Sequence, residues 1–179
     1  MENIKAGRIK DTLLDEYYHF SKRSLNEYKG YLGEIHMSQI LLAAQRQTLS
    51  GELFNYASDI KIPSFAYVNH RVRLSSGKNM EIDLLGAAGP EKWVCQSKWV
   101  ESKKIGINDL KELNQQAEAV KTEMKVVFLK KWIFAHEGLT AKAKQFAYDH
   151  EIFWSARKEL DALLDYLNLR PLYSFQDER

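Results

Sequence analysis

Three residues in the middle of the chain carry the side chains that could do chemistry. Asp83 lies near the end of the stretch Met80-Glu81-Ile82-Asp83-Leu84-Leu85-Gly86. Gln96 and Lys98 interrupt Lys92-Trp93-Val94-Cys95-Gln96-Ser97-Lys98-Trp99-Val100. Both stretches have strand character, and Gly86-Ala87-Ala88-Gly89-Pro90 supplies turn chemistry between them. Residues two apart on a strand share a face, so Gln96 and Lys98 point one way and Trp93, Cys95, Ser97 and Trp99 the other. A lysine inside an otherwise apolar strand is costly unless it has a task or a partner. An acid, an amide and a lysine at one edge of a hairpin are the groups needed to hold a divalent metal and orient a water.

The elements that must position these groups follow from periodicity. Residues 9–27 read as a helix, with Leu13, Leu14, Tyr17, Tyr18 and Leu25 among its apolar positions. Residues 29–48 read as a second helix, with Leu32, Ile35, Ile40, Leu41 and Leu42 on its apolar side. Gly30 and Gly33 cost that helix propensity, and a close approach of another backbone would explain them. An irregular connection over 52–64 leads to a strand over Phe65–Leu74, and Ser75-Ser76-Gly77-Lys78-Asn79 turns the chain into the Asp83 strand. A helix over 108–122 follows, with Asn108 as its N-cap and Leu110, Leu113, Ala117 and Val120 on one face. Val126–Leu129 reads as a strand buried on both faces. Thr140 caps the next helix, Ile152–Trp154 is a short edge strand, and Ser155 caps a last helix ending near Leu167. The order α-α-β-β-β-α-β-α-β-α is that of a mixed α/β domain with one parallel crossover.

At these residues the chain resembles the PD-(D/E)xK nuclease superfamily, whose restriction-endonuclease-like fold has an αβββαβ core. Its signature is an acid on one strand, then a polar residue, one spacer and a lysine on the next. Asp83 matches the acid, Gln96 the polar position and Lys98 the lysine. Glu34, in Gly30-Tyr31-Leu32-Gly33-Glu34-Ile35, matches the glutamate that many members add from the preceding helix. Gln96 departs from the commonest occupant, an acid, and is similar to the glutamine of the Mrr-like and ATPase-associated branches. The resemblance spans residues 28–167, with 1–27 as a helical extension of one domain. It implies a central mixed sheet of four to five strands flanked by helices, and a chain working inside or beside a larger protein. It also implies a Mg²⁺- or Mn²⁺-dependent endodeoxyribonuclease. Asp83 would be the main ligand, with Glu34, the Gln96 side-chain oxygen and the Ser97 backbone carbonyl as further oxygens. Lys98 would orient the attacking water and offset charge in the transition state. DNA is favoured over RNA on the resemblance alone, and an ATPase domain or partner is a second expectation from it.

Each of these residues also has a purely structural account. Asp83 could be a turn residue, Lys98 a snorkelling edge lysine, Gln96 a satisfied buried amide and Glu34 one more solvated helix charge. Glu81 is a spare acid at i−2 from Asp83 that favours exposure. Gln115 and Gln116, on the helix after Lys98, could reach the active-site edge or the substrate, though a polar helix face is the favoured account.

Composition narrows the classes. The 179 residues suffice for one domain with a real core, and 45% hydrophobic with 28% charged is ordinary for a soluble protein. A lone cysteine, Cys95, rules out an intrachain disulfide. No apolar run approaches a membrane span and no apolar signal core opens the chain, so the expected compartment is the cytoplasm. The five histidines lack helical ligand spacing, which argues against zinc. Walker, Gly-x-Gly-x-x-Gly and nucleophile-elbow motifs are absent.

A net charge of +2 does not announce a nucleic-acid binder, so any DNA attraction must be local. Arg71, Arg73, Lys103, Lys104 and Lys131 are the candidate phosphate contacts, with Trp132 as a base-stacking surface. Dispersed solubility charge explains the same residues equally well. Two readings follow: an active endonuclease, or a nuclease-derived module that binds nucleic acid or a partner ATPase without cutting.

Overall fold

The computed structural model of the chain describes residues 2–75 and 80–172, with side chains for His19, 21–75 and 80–172. Residues 76–79 of the expected turn, and the expected apolar positions Leu13, Leu14, Tyr17 and Tyr18, lie outside the described residues or side chains.

The alternating stretches form three antiparallel strands, β3 (Tyr67–Arg73), β4 (Glu81–Ala88) and β5 (Glu91–Lys98), after a short ladder of β1 (Thr48–Leu49) with β2 (Ile60–Lys61). Helix α2 (Ile107–Glu123) crosses over to β6 (Phe128–Ala135), and α3 (Ala141–Asp149) to β7 (Ile152–Ser155). Both crossovers deliver parallel pairing, so the described sheet is five-stranded and mixed, in the order β3-β4-β5-β6-β7. Helix α1 (Glu2–Ala43), a 3₁₀ turn (Gly51–Phe54) and α4 (Arg157–Tyr166) complete the α/β architecture. No described helix is long and apolar enough to cross a membrane.

The sheet separates two apolar clusters. Met37, Ile40 and Leu41 of α1 and Leu160, Leu163 and Leu164 of α4 pack on one face, against Leu84, Trp93, Cys95, Trp132 and Phe134. Leu110, Leu113, Ala117 and Val120 of α2 and Ala143 and Ala147 of α3 pack on the other, against Ile82, Leu85, Val94 and Ile133. The α2 stripe is the one its periodicity indicates.

Several boundaries move. The two expected N-terminal helices are one 42-residue helix ending at Ala43. Residues 21–28 are exposed along it, Leu25 among them, and burial begins at Lys29. Leu42, expected on the apolar side, is also exposed. The N-cap of α2 is Gly106, not Asn108. Ser155 ends β7 rather than capping α4: its hydroxyl donates to Leu53 O and accepts from Trp132 Nε1. The N-cap of α4 is Ala156, whose N–H donates to Glu159 at 2.9 Å. Thr140 does cap α3, its Oγ1 accepting from Ala143 N–H.

Strand β6 departs furthest from expectation. The apolar run at 126–129 is only its lead-in, and Val127 and Phe128 are exposed. The buried part is Trp132, Ile133, Phe134 and Ala135. Lys130 and Lys131, which look like the strand's end, lie inside it because each head group has an outlet. Lys130 reaches Glu91 at 3.5 Å, and Lys131 donates to Asn114 Oδ1 and His150 O at 2.7 Å each.

Candidate active site

A break in the regular sheet builds the site. The β4–β5 ladder runs from Ala88↔Glu91 to Leu84↔Cys95 and stops one step short of Asp83. There the Ser97 backbone N–H donates to Asp83 Oδ2 at 2.8 Å, so a carboxylate stands where the next strand carbonyl would be. The β3–β4 ladder is interrupted at the same level. His70 pairs with Leu84 and Val72 with Ile82, but Arg71 and Asp83 between them do not pair. Arg71 has left-handed backbone, φ 51°. Facing inverts across this point. Val68 and Leu84 belong to the α1 side of the core, Val72 and Ile82 to the α2 side, although both members of each pair of positions are even-numbered. Asp83 therefore sits at a twist between two regular segments, its Oδ2 engaged by the Ser97 amide.

Gln96 and Lys98 share a face, as alternation requires, and Trp93 and Cys95 lie in the α1-side core opposite them. Gln96 is buried, beside Ile133 in the parallel pairing, and its Oε1 has no partner among the described residues. Lys98 Nζ lies 3.6 Å from both Asp109 and Glu112 of α2. These two acids, three apart near the start of the helix that follows Lys98, were the readable signal for its partners.

Glu34 approaches from α1. Gly33 permits it: a Cβ there would collide with Ser97 Oγ and lie 3.3 Å from the Phe134 ring. Gly30 has open space around its Cα, although its carbonyl accepts from Ser97 Oγ at 3.2 Å. The Glu34 side chain is 8% exposed and faces the Arg71 guanidinium, with Nε to Oε2 at 3.3 Å and Nη2 to Oε1 at 3.5 Å. His70 Nδ1 lies 3.9 Å away. Burial, then the Arg71 charge, lowers the His70 pKa.

Electrostatics ties these groups together. Burial raises the Asp83 pKa above its usual value, opposed by the Ser97 N–H and by the charges of Lys98 and Arg71. Burial also raises that of Glu34, opposed by Arg71 and reinforced by the Asp83 charge. Two half-hidden acids that repel each other favour a shared cation.

Among the described residues, no three His, Cys, Asp or Glu side chains are grouped as metal ligands. The donor set here is two carboxylates plus neutral oxygens, and the buried, partnerless Gln96 Oε1 suits that role. It fits a hard divalent ion, with lower affinity than three carboxylates would give.

No family model and no curated protein matches this chain. A solved structure of a protein of unknown function, AF1548, is similar to it, with a TM-score of 0.51 at 18% identity over 63% of this chain. The match covers 64% of AF1548, less than two thirds of its length. At that identity the likeness speaks for the α/β fold alone.

The basic residues divide. Lys103 and Lys104 line an open cleft with Lys98 and Asp109, next to the candidate site. Arg71 is inside the site, and Arg73 pairs with Glu81 at 3.2 Å on the surface. Glu81 keeps a half-exposed side chain in that pair. Lys131 does not join the cluster. It pairs with Val94, four residues before Lys98, and its ammonium is engaged beneath α2 and α3. Trp132 is fully buried and cannot stack on a base. Gln116 is not part of a polar face: it is buried and donates to the Glu81 carbonyl at 3.1 Å, while Gln115 is exposed.

Proposed function

We propose that this chain is a metal-dependent nuclease with a restriction-endonuclease-like fold that hydrolyses DNA phosphodiester bonds. The observation that carries the proposal is Asp83 of β4 at the ladder break, bonded to the Ser97 N–H of β5, with Gln96 and Lys98 flanking Ser97 and Glu34 approaching from α1. A bound Mg²⁺ or Mn²⁺ would polarise the phosphate and lower the pKa of a bound water. Asp83, Glu34, the Gln96 Oε1 and the Ser97 carbonyl are the oxygens that would hold it. Lys98, braced by Asp109 and Glu112, donates hydrogen bonds to the attacking water and offsets charge on the phosphate oxygens. Lys103 and Lys104 extend positive charge along the cleft for the flanking phosphates.

Supercoiled plasmid and single-stranded DNA, incubated with Mg²⁺, Mn²⁺ or EDTA, test this proposal. Metal-dependent nicking that disappears in Asp83→Ala and Lys98→Ala is the expected outcome. Nicking that survives both substitutions sinks it.

One observation favours a second reading. Glu34 is already neutralised by Arg71, and Gln96 brings no charge, so the site is poor in free carboxylate. A nuclease-derived module that binds nucleic acid or a partner ATPase without cutting would have this character. DNA binding by folded protein without cleavage under any metal condition would select it.

A further inference from the structure

The Arg71–Glu34 contact has the geometry of a replaceable pair rather than of a fixed strut. A charge-assisted arginine–carboxylate bond settles near 2.7–2.9 Å. Both contacts here are longer, 3.3 and 3.5 Å. The acid is the hidden partner and the arginine the accessible one, with side chains 8% and 52% exposed. The guanidinium at the same time lies over the Tyr31 ring, 5.2 Å from its centroid, a contact that does not depend on Glu34. Its backbone is left-handed inside a strand, a strained conformation for a residue with a Cβ, directly across the ladder gap from Asp83. Here it brings a cation onto Glu34 and close enough to Asp83 for its charge to be felt there.

Resting on the nuclease reading above, we infer that Arg71 is an internal stand-in cation. It neutralises Glu34 while the site lacks a divalent ion, is displaced when an ion engages Glu34 and Asp83, and then takes the DNA phosphate. Metal loading and phosphate binding are thereby coupled through one side chain. The buried Glu34 is never left uncompensated, and a cation without substrate must compete with the arginine for it. The other charged or titratable groups facing Glu34 are His70, Asp83 and Glu81, none of which supplies a permanent positive charge.

Direct Mn²⁺ binding without DNA, measured by calorimetry, tests the exchange. Arg71→Gly is the variant of choice, because glycine accepts the left-handed backbone and the fold survives. It should bind Mn²⁺ about fivefold more tightly than the unaltered protein, the order of one partly exposed ion pair. The gain should vanish in the Arg71→Gly/Glu34→Gln double variant. Affinity of Arg71→Gly for a short DNA duplex with Ca²⁺ should fall. Unchanged or weaker Mn²⁺ binding in Arg71→Gly overturns the exchange and makes Arg71 a bracket that positions Glu34. If the unaltered protein binds Mn²⁺ and Asp83→Asn abolishes that binding, the nuclease reading stands whichever way Arg71→Gly behaves. If no Asp83-dependent Mn²⁺ binding occurs in any form, both readings fall together.

Discussion

The Ser97 amide donates to the Asp83 carboxylate at 2.8 Å, at the level where the β4–β5 ladder ends. This bond orients one carboxylate oxygen and leaves the other for a ligand. The cost is a partly buried acid whose ionised form the fold disfavours. Stability and function therefore pull in opposite directions at this residue.

Asp83→Asn separates them. Burial raises the Asp83 pKa in the folded state above its unfolded value. The stability this confers is complete below the unfolded value and is lost as pH rises through the folded one. At pH 7.5 the native carboxylate is a liability, and asparagine keeps an oxygen to accept from Ser97. Asp83→Asn should raise Tm by roughly 2–4 °C at pH 7.5, equivalent to ~1 kcal/mol, while abolishing cleavage. The Tm gain should shrink toward zero as pH falls below the carboxylate range. Scanning calorimetry at several pH values checks it.

Gln96→Glu should do the reverse. A third acid would be buried near Asp83, where Gln96 is 3% exposed. Without metal its pKa would be raised, so Tm at neutral pH should fall and recover on acidification. Added Mn²⁺ should restore it, with about tenfold tighter binding than the unaltered protein, because ligand charge count sets affinity. A variant whose melting ignores both pH and Mn²⁺ would show that position 96 does not face the ion.

Gly30 and Gly33 of α1 should respond with opposite signs. At Gly33 a methyl group meets Ser97 Oγ and the Phe134 ring, so Gly33→Ala should cost ~1–3 kcal/mol and shift Glu34 away from the site. At Gly30 nothing lies within 4 Å, so Gly30→Ala should stabilise by ~0.5–1 kcal/mol through helix propensity. Urea unfolding measures both, and equal effects at the two positions would contradict the packing of α1 on β5.

Basic residues should divide by their place on the sheet. Lys103→Ala and Lys104→Ala should each lower the salt slope of DNA binding by about 0.9, the value for one neutralised phosphate. Lys131→Ala should leave the slope unchanged, because its ammonium is committed to Asn114 and His150. Trp132→Phe should lower stability by removing the Nε1–Ser155 bond, without weakening DNA binding by the folded protein. Fluorescence anisotropy across a salt series reads DNA binding by all four variants, and urea unfolding reads the stability of Trp132→Phe.

Local chemistry was enough to determine the strand order from 65 to 100, the shared face of Gln96 and Lys98, the α2 stripe and the Thr140 cap. Each depends on residues a few positions apart, where period, turn type and capping act through the chain itself. The close approach expected at Gly30 and Gly33 was legible only in part: side chains of Ser97 and Phe134, not a backbone, crowd Gly33, and nothing crowds Gly30. The break at Asp83 was not legible, because it requires a left-handed Arg71 twelve residues away on a neighbouring strand. Nor was the Arg71–Glu34 pair, 37 residues apart, or the Lys131 bonds beneath α2 and α3. The end of β6 was misplaced because two lysines mimic a strand's end unless their partners elsewhere in the fold are known. Periodicity reports which side of an element is apolar. Where a charged group finds its counterion depends on contacts between elements distant in sequence, and only the assembled sheet and its helices decide those.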